Sequence, residues 1–211
     1  MDPITQRNQK LAEQVAKNLR SRHFDAYVAK DAEEAKNIAL DIIPKGHTVG
    51  WGGSVIVDQI GIKDALRARN NPVIDRSTAK DREESVKMMK ACLTCDTFLM
   101  SANALSYDGV LVNIDGNGNR VAPLIYGPDS VVVIVGINKI TPDVDTAIKR
   151  ARNVAAPINA QRFDINTPCK INGSCADCKA PDSICCHISL TRICRPKGRI
   201  KVIIVTEDLG F

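Results

Sequence analysis

Apolar residues recur at helical spacing in several stretches of the chain. Between residues 5 and 22 the apolar positions Leu11, Val15 and Leu19 fall on one side of a helix, while the other side is polar, which predicts an amphipathic helix. A second helix is predicted over 32–43, because Asp31 is suited to cap its start. Further helices are predicted at 62–69, 80–93 and 143–152.

Between these helices lie short runs that are apolar throughout, as strands covered on both faces are. The run 131–135 is the clearest, because β-branched residues fill nearly all of it. Other buried strands are predicted at 24–29, 72–75, 97–100 and 200–205. Since helices and strands alternate, the pattern predicts an α/β fold with a mostly parallel sheet flanked by helices.

One segment departs from this alternation and predicts an antiparallel hairpin. Two apolar runs, 110–114 and 121–125, flank residues 115–119, whose sequence is Asp-Gly-Asn-Gly-Asn. Glycine and asparagine readily adopt the positive φ values that tight turns between strands require. We therefore expect both runs to be strands of one hairpin.

Length and apolar content fit a single domain. With 211 residues, of which 44% are hydrophobic and 25% charged, the chain can bury one substantial core. We predict one α/β domain over residues 1–211, with a cysteine-rich, metal-binding segment at 167–195 inserted before the last strand.

Composition and charge narrow the classes of function. No apolar run has the length of a membrane span, and the amino terminus lacks the apolar stretch of a signal peptide, so we expect a cytoplasmic protein. Aromatic residues make up only 4%, which weighs against stacking on single-stranded nucleic acid. The net charge is +5, and a basic run at 192–201 lies beside the last cysteine. A solvated loop is the first interpretation of this run, compensation for a negatively charged metal cluster the second, and a phosphate or nucleic-acid contact the third.

Six of the eight cysteines crowd into the last fifth of the chain. Four of them follow the spacing C-x5-C-x2-C-x6-C, namely Cys169, Cys175, Cys178 and Cys185. In a reducing compartment such density favours a shared metal centre over disulfides. Zinc modules usually contain two close pairs, whereas only Cys175 and Cys178 are close here, so the spacing favours a [4Fe–4S] cluster and leaves zinc as the alternative. Whether Cys186, Cys194 or His187 replaces one of the four is open at this point.

A second close pair, Cys92 and Cys95, lies at the end of a predicted helix. Free cysteines are commonly buried, so packing in the core is the preferred interpretation. A redox pair or a contribution to the metal site is the alternative.

Three loops carry polar residues that suit a ligand site. The turn Gly52-Gly53-Ser54 follows an apolar strand and precedes a helix, where glycines let the backbone approach an anion. Residues 101–104 follow another apolar strand, and Asn113, Asp115 and Arg120 surround the neck of the expected hairpin. Because ligands of open α/β sheets bind at the carboxyl ends of strands, the glycine turn is the stronger candidate. For the other two loops, turn geometry alone is the simpler explanation.

Several short motifs occur in an order that resembles one known family. They are VGWGGS at 49–54, SANA at 101–104, DG at 108–109, DGNGNR at 115–120, GP at 127–128, GINK at 136–139, AAP at 155–157 and EDLGF at 207–211. Together they closely resemble the LUD-domain proteins, which are linked to lactate utilization, over nearly the whole chain. The cysteine segment resembles a version of that family with a cysteine-rich carboxyl-terminal part.

The resemblance implies a fold similar to that of the sugar-phosphate isomerases and CoA transferases, with a crevice near the glycine turn. It implies that Gly52, Gly53 and Ser54 form a loop that binds an anion or a carboxylate. The other crevice residues that it implies are Asn103, Asp115, Asn119 and Lys139.

The resemblance also suggests two candidate catalytic carboxylates, Asp108 and Asp115. Related CoA transferases carry an acidic nucleophile before a glycine, and Asp108-Gly109 is the nearest match in this chain. Their usual residue is glutamate, so the aspartate departs from the pattern and puts a covalent acyl mechanism in doubt.

These observations support three hypotheses about function. The first is an iron–sulfur protein that acts with redox partner subunits in the oxidation of lactate or a similar 2-hydroxy acid. The second is a stand-alone isomerase, lyase or acyl-transfer enzyme on a small anionic substrate. The third is a zinc-stabilised binding module. Whether the protein is itself an oxidoreductase, and whether it forms a homo-oligomer, the sequence leaves open.

Overall fold

The computed structural model describes residues 2–211, in which helices and strands alternate. The helices are α1 (Pro3–Ser21), α2 (Ala32–Ile42), α3 (Val55–Gln59), α4 (Ile62–Ala68), α5 (Arg82–Ala91), α6 (Val121–Ile125), α7 (Val144–Arg150), α8 (Ala156–Ala160) and α9 (Pro168–Asn172). The strands are β1 (Asp25–Ala29), β2 (Val49–Trp51), β3 (Val73–Ile74), β4 (Thr97–Met100), β5 (Ala104–Ser106), β6 (Leu111–Asp115), β7 (Ser130–Gly136), β8 (Ile140–Thr141), β9 (His187–Thr191) and β10 (Ile200–Val205). A π-helical turn, Ala151–Ala155, joins α7 to α8, and a 3-10 turn, Ile137–Lys139, follows β7.

Six strands form a parallel sheet in the order β1-β10-β7-β4-β2-β3. The predicted α/β fold with a mostly parallel sheet is thereby confirmed. The strands predicted at 24–29, 72–75, 97–100, 131–135 and 200–205 lie in this sheet, and the helices predicted between them lie within a few residues of the expected positions.

Side chains of β7 show why the apolar runs are continuous. Val131, Val133 and Val135 face a core that contains one side of α1, whereas Val132 and Ile134 face a second core formed with α2, α3 and α4. A central strand that is covered on both faces has no solvent side, so alternation disappears from its sequence.

A second, four-stranded sheet in the order β8-β5-β6-β9 packs beside the first. Its last strand, β9, lies in the cysteine-rich segment and pairs antiparallel with β6, from Leu111 opposite Thr191 to Asp115 opposite His187. The segment therefore lies before the last strand of the parallel sheet, as expected, and is joined to the second sheet through residues 187–191.

The predicted hairpin is wrong in its second arm. Residues 121–125 form the helix α6, and β6 pairs instead with β5 and β9. The cause is the side chain of Asp115, which accepts hydrogen bonds from the backbone N–H groups of Gly118 (3.2 Å), Arg120 (2.9 Å) and Val121 (3.3 Å). A carboxylate that collects N–H groups at this point satisfies the donors of a helix start.

None of the helices within residues 2–211 combines the length and the apolar character that crossing a membrane requires.

Candidate functional site

The polar loops identified in the sequence meet at the carboxyl-terminal edge of the parallel sheet. Residues 53–55 follow β2, residues 101–103 follow β4, and Lys139 follows β7. Because parallel strands end at the same edge, their following loops converge, and this edge is where open α/β sheets bind ligands. Together with Arg120 these loops enclose a small cavity.

This inner cavity has a volume of about 60 Å³, which suits a molecule of a few heavy atoms. Its lining is mostly polar and comprises Gly53, Ser54, Val55, Ser101, Ala102, Asn103, Arg120, Lys139, Asn159, Arg162 and Phe211. Two of its cations are largely buried, Lys139 and Arg120, the latter with 15% of its side chain exposed. A small enclosed space with buried cations is suited to a small anion.

Lys139 is only 3% exposed, and its ammonium group contacts neutral groups. Its Nζ donates to Oγ of Ser101 at 3.1 Å and to the carbonyl oxygen of Ala102 at 3.2 Å. Burial first, and then the positive charges of Arg150 and Arg120, lower the pKa of Lys139 to about 7. A ligand carboxylate beside Nζ would supply the countercharge that the surrounding residues lack.

Arg120 connects the inner cavity to the acidic residue Asp115. Its Nε lies 3.5 Å from Oδ2 of Asp115, and its Nη2 donates to Oδ1 of Asn103 at 3.3 Å and to the carbonyl oxygen of Ile114. Burial lowers the pKa of the guanidinium, and the charge of Asp115 opposes that shift. The side chain is therefore held rigidly, with its positive charge at the cavity wall.

Ser54 supplies an unpartnered hydroxyl to the same cavity. It occupies the N-cap position of α3, yet its side chain makes no capping hydrogen bond. Its Oγ is buried and has no hydrogen-bond partner among the described residues. Buried hydroxyls are normally paired, so this one is available to a ligand.

A larger outer cavity of about 430 Å³ adjoins the inner one and shares Gly53, Arg120, Asn159 and Arg162 with it. It adds Arg76 and Asp164 on its walls, and Asp115 and Asn119 from the loop after β6. Ile184, the residue before Cys185, also lines it. The cysteine-rich segment thus forms part of this outer wall.

Most of the predicted crevice residues come together here. Gly53, Ser54, Asn103 and Lys139 line the inner cavity, and Asp115 and Asn119 line the outer one. The last predicted position, Gly52, lies behind Arg120, where a Cβ atom would stand 2.9 Å from Cδ of that arginine. Its missing side chain makes room for the arginine.

Asp108 lies elsewhere, in the turn between β5 and β6. Its carboxylate forms an ion pair with Arg22 at the end of α1 and accepts a hydrogen bond from Ser106 at 2.5 Å. Half of its side chain is exposed to solvent, and it lines neither the inner nor the outer cavity. Its catalytic role stays a prediction that this position does not support.

Two arginines of the crevice were missed by sequence reasoning. Arg76 lies just after β3, so the rule that sites form at strand ends would have found it. Arg162 lies just after α8, and no local pattern identifies it. It reaches the crevice only because the helical segment 144–160 packs beside the second sheet.

The four predicted metal ligands line one separate cavity of about 70 Å³. Its walls comprise Arg152, Ala156, Cys169, Cys175, Ala176, Asp177, Cys178, Cys185 and Ile188. Nη2 of Arg152 lies 3.9 Å from Sγ of Cys175. Burial, followed by the neighbouring cysteines, raises the pKa of Cys185 to about 11.

The donor set of this cavity fits an iron–sulfur cluster. Four thiols line it, and Asp177 is the one carboxylate among the lining residues. Soft thiolates are the ligands that iron–sulfur clusters take. Within residues 2–211, no three His, Cys, Asp or Glu side chains stand close enough to hold a single metal ion. Zinc takes the same four thiolates as ligands, so the donor set suits either group.

The remaining cysteines have other surroundings. Cys186 is exposed and Cys194 packs in the main core, where its Sγ accepts from the backbone N–H of Ile200 at 3.2 Å. Neither lines the cysteine cavity, and neither does His187. Cys92 and Cys95 are buried against Gly50 in the same core, as the preferred interpretation of that pair predicted.

Comparison with known proteins agrees with this architecture. The sequence model for the LUD domain matches residues 12–205. The fold is similar to the crystal structure of a DUF162 family protein from Deinococcus radiodurans, with a TM-score of 0.55 at 12% identity, over 94% of this chain and 98% of that chain. No curated protein matches the sequence significantly.

Proposed function

Since this chain belongs to the LUD domain family, which is associated with lactate utilization, we propose that it is a cytoplasmic iron–sulfur protein that binds a 2-hydroxy acid such as lactate. In this proposal the inner cavity takes the acid and the cysteine cavity holds a [4Fe–4S] cluster. Partner subunits exchange electrons with the cluster, so that the chain is one component of an oxidoreductase.

The observation that carries the proposal is the enclosed cationic end of the crevice. Lys139 and Arg120 supply positive charge with little solvent to screen it, and Asn103 and the hydroxyls of Ser54 and Ser101 line the same space. The carboxylate of such an acid would pair with the cations, and its 2-hydroxyl would form a hydrogen bond with the unpartnered Oγ of Ser54. The volume of about 60 Å³ favours a short acid.

Isothermal titration of L-lactate into the protein tests this site. We expect measurable binding that weakens about tenfold or more in Ser54→Ala, because one buried hydrogen bond to a charged ligand is lost. Ser85→Ala is the matched control, since Ser85 lies on α5 and lines a different groove. Equal affinity in wild type and Ser54→Ala would place the acid elsewhere.

Cys169, Cys175, Cys178 and Cys185 would hold the cluster, which would supply one-electron redox chemistry. Support comes from the shared cavity and from Arg152, whose positive charge beside Cys175 would partly offset the negative charge of a thiolate-ligated cluster. Of the five other positions around the cavity, none is a histidine.

Iron, sulfide and zinc analysis of anaerobically purified protein tests the metal assignment. We expect iron and sulfide with a visible absorption band, and their loss in Cys178→Ser. Cys186→Ser is the control, because Cys186 is exposed and does not line the cavity. Stoichiometric zinc without iron would instead support the zinc-stabilised alternative.

One observation favours the second hypothesis, a stand-alone enzyme. The inner cavity gathers two groups that are able to act in non-redox chemistry, the buried amine of Lys139 and the unpartnered hydroxyl of Ser54. Turnover of a small anionic acid by the isolated chain, with no electron acceptor added, would support an isomerase, lyase or transferase over a redox component.

A further inference from the structure

The inner cavity contains an amine that anion binding alone does not explain. A lysine that binds anions works best when it stays charged and can approach the ligand through water. Lys139 is instead buried, and among the described residues Nζ donates hydrogen bonds only to the hydroxyl of Ser101 and the carbonyl oxygen of Ala102.

Two guanidinium groups crowd this amine. Arg120 lines the same cavity. Arg150 donates to the carbonyl oxygen of Asn103, the residue after Ala102, at 2.6 Å. It also donates to the carbonyl oxygen of Asn138, the residue before Lys139, at 3.0 Å. Asp115, a carboxylate of the adjoining outer cavity, is paired with Arg120 and held by three backbone N–H groups. Lysines beside other cations and without a carboxylate lose their proton readily and become nucleophiles.

The carboxyl-terminal residues close the space around the amine. A Cβ atom on Gly210 would lie 3.2 Å from Nζ of Lys139, so this segment lies beside the amine. Asn138 fixes the segment, because its Nδ2 donates to the carbonyl oxygen of Gly210 at 3.1 Å and its Oδ1 accepts from the N–H of Leu209 at 3.2 Å. Phe211 then lines the cavity. Exclusion of water favours a carbonyl adduct that water would otherwise hydrolyse.

We propose that Lys139 forms an imine with the carbonyl carbon of a short 2-oxo acid in the inner cavity. This inference rests on the proposed function, because a 2-oxo acid is what oxidation of a 2-hydroxy acid yields. It assigns Lys139 a covalent role in place of a purely electrostatic one, and it makes the carbonyl group the feature that the site recognises.

The step balances without a further reactant. The neutral Nζ attacks the carbonyl carbon, the carbonyl oxygen takes up a proton, and the resulting carbinolamine loses one water to give the imine. Arg120 lines the same cavity and is able to pair with the carboxylate of the acid, so Nζ of Lys139 stays available to attack the carbonyl carbon. The hydroxyls of Ser54 and Ser101 line the cavity and are able to donate to the departing oxygen.

Reductive trapping tests the proposal. Protein is incubated with pyruvate and cyanoborohydride at pH 7, and the adduct is located by intact mass and peptide mapping. Hydride addition to the imine carbon leaves a stable secondary amine, so the protein gains the mass of the acid less one oxygen atom. We expect this gain on the peptide that contains Lys139.

The rate contrast with surface lysines is the quantitative readout. With a pKa of about 7, about half of Lys139 is neutral at pH 7, whereas an ordinary lysine is neutral in roughly one molecule in 2,500. We expect Lys139 to be labelled about a hundredfold faster than Lys87, an exposed lysine of α5. Labelling at equal rates would overturn the proposal.

Matched variants complete the test. Lys87→Met is expected to keep the adduct, and Lys139→Met to lose it, with circular dichroism to confirm that the variant folds. If Lys139→Met fails to fold, peptide mapping of the wild-type protein still decides the question, because it locates the labelled residue directly. L-lactate, which has no carbonyl group, is expected to give no adduct and to slow trapping by pyruvate.

Titration of lactate and pyruvate without reductant separates this inference from the proposed function. Binding of both acids without labelling of Lys139 would overturn the imine and leave the proposed site intact. Labelling of Lys139 without lactate binding would support the imine and overturn the 2-hydroxy acid as ligand. Absence of both would overturn both.

Discussion

At the scale of single residues, the crevice depends on two unusual positions. Lys139 places an amine among guanidinium groups, and Gly52 leaves room for the stem of Arg120. The buried amine of Lys139 lowers the stability of the fold whenever it is charged, because a buried charge without a countercharge is unfavourable. The second is a steric requirement, because any larger residue displaces a buried arginine.

Stability should depend on pH through Lys139. Folding lowers its pKa from 10.5 to about 7, so between these values the unfolded chain binds the extra proton and the free energy of unfolding rises with pH. In Lys139→Met this contribution is absent. We expect the stability of wild type relative to the variant to rise by roughly 2–4 kcal/mol from pH 7 to pH 10.

Urea unfolding of both proteins at pH 7 and pH 10 measures this difference. The loss of the two hydrogen bonds to Ser101 and Ala102 is the same at both pH values, and other titrating groups cancel in the comparison. Parallel pH profiles for the two proteins would show that Lys139 titrates normally.

Gly52→Ala and Gly53→Ala should differ, although the two glycines are neighbours. A Cβ atom on Gly52 would clash with Cγ of Arg120 and lie 2.9 Å from its Cδ, whereas one on Gly53 would meet only the end of Arg76 at 2.8 Å. The stem of the largely buried Arg120 cannot move away as easily as the guanidinium end of Arg76, which donates to Sδ of Met89 at 3.2 Å. We expect Gly52→Ala to lose about 1–3 kcal/mol of stability and Gly53→Ala much less.

Thermal unfolding, with lactate titration alongside, measures both effects of the glycine substitutions. Gly52→Ala is expected to weaken lactate binding as well, because Arg120 moves from the cavity wall. A Gly53→Ala protein as unstable as Gly52→Ala would contradict this account of the turn.

At the scale of secondary-structure elements, the cysteine-rich segment is attached at several points. Strand β9 pairs with β6, the backbone of Ile184 lies against Gly116, and Arg152 from the π-helical turn pairs with Asp177. The ion pair joins the helical segment 144–160 to the loop between Cys175 and Cys178. Because Asp177 is largely exposed, this contact is expected to contribute only modestly.

Arg152→Ala should loosen this loop. Loss of the ion pair with Asp177 is expected to speed amide exchange over 175–186 by about two- to fivefold in metal-free protein, as a weak surface pair would. Lys149→Ala is the control, because Lys149 is an exposed cation on the preceding α7. Hydrogen exchange followed by mass spectrometry measures both. Equal acceleration in the two variants would point to general loss of helix stability.

At the scale of the whole molecule, the crevice and the cysteine cavity share walls. Ile184 lines the outer cavity while the adjacent Cys185 lines the cysteine cavity. Helix α8 is shared in the same way. Ala156 lines the cysteine cavity, whereas Asn159, on the next turn of the helix, lines both the inner and the outer cavity. A change of position in one wall therefore reaches both sites.

Metal loading and acid binding should consequently be coupled. We expect metal-free protein to bind lactate about fivefold more weakly than loaded protein, and bound lactate to slow metal loss by chelator in return, since coupling between sites is reciprocal. Titration calorimetry on both forms measures the first effect. Identical affinities in the two forms would show that the shared walls do not move.

The sequence by itself determined the parallel sheet, because strands covered on both faces need continuous apolar runs such as 131–135, and these are local signals. It also identified the four cysteines that line one cavity, because their crowding and spacing are local features of the sequence. The sequence also identified the glycine turn, because only small residues fit the backbone at this point.

Only the tertiary structure decided the rest. The partners of β6 are β5 and β9, and β9 lies far along the chain in the cysteine-rich segment, whereas the adjacent run 121–125, which contains Pro123, forms the helix α6. Arg162 enters the crevice through the packing of a helix far along the chain. The amine of Lys139 is exceptional only because folding surrounds it with Arg120 and Arg150. Contacts between residues distant in sequence set these features, and no local pattern encodes the distance between them.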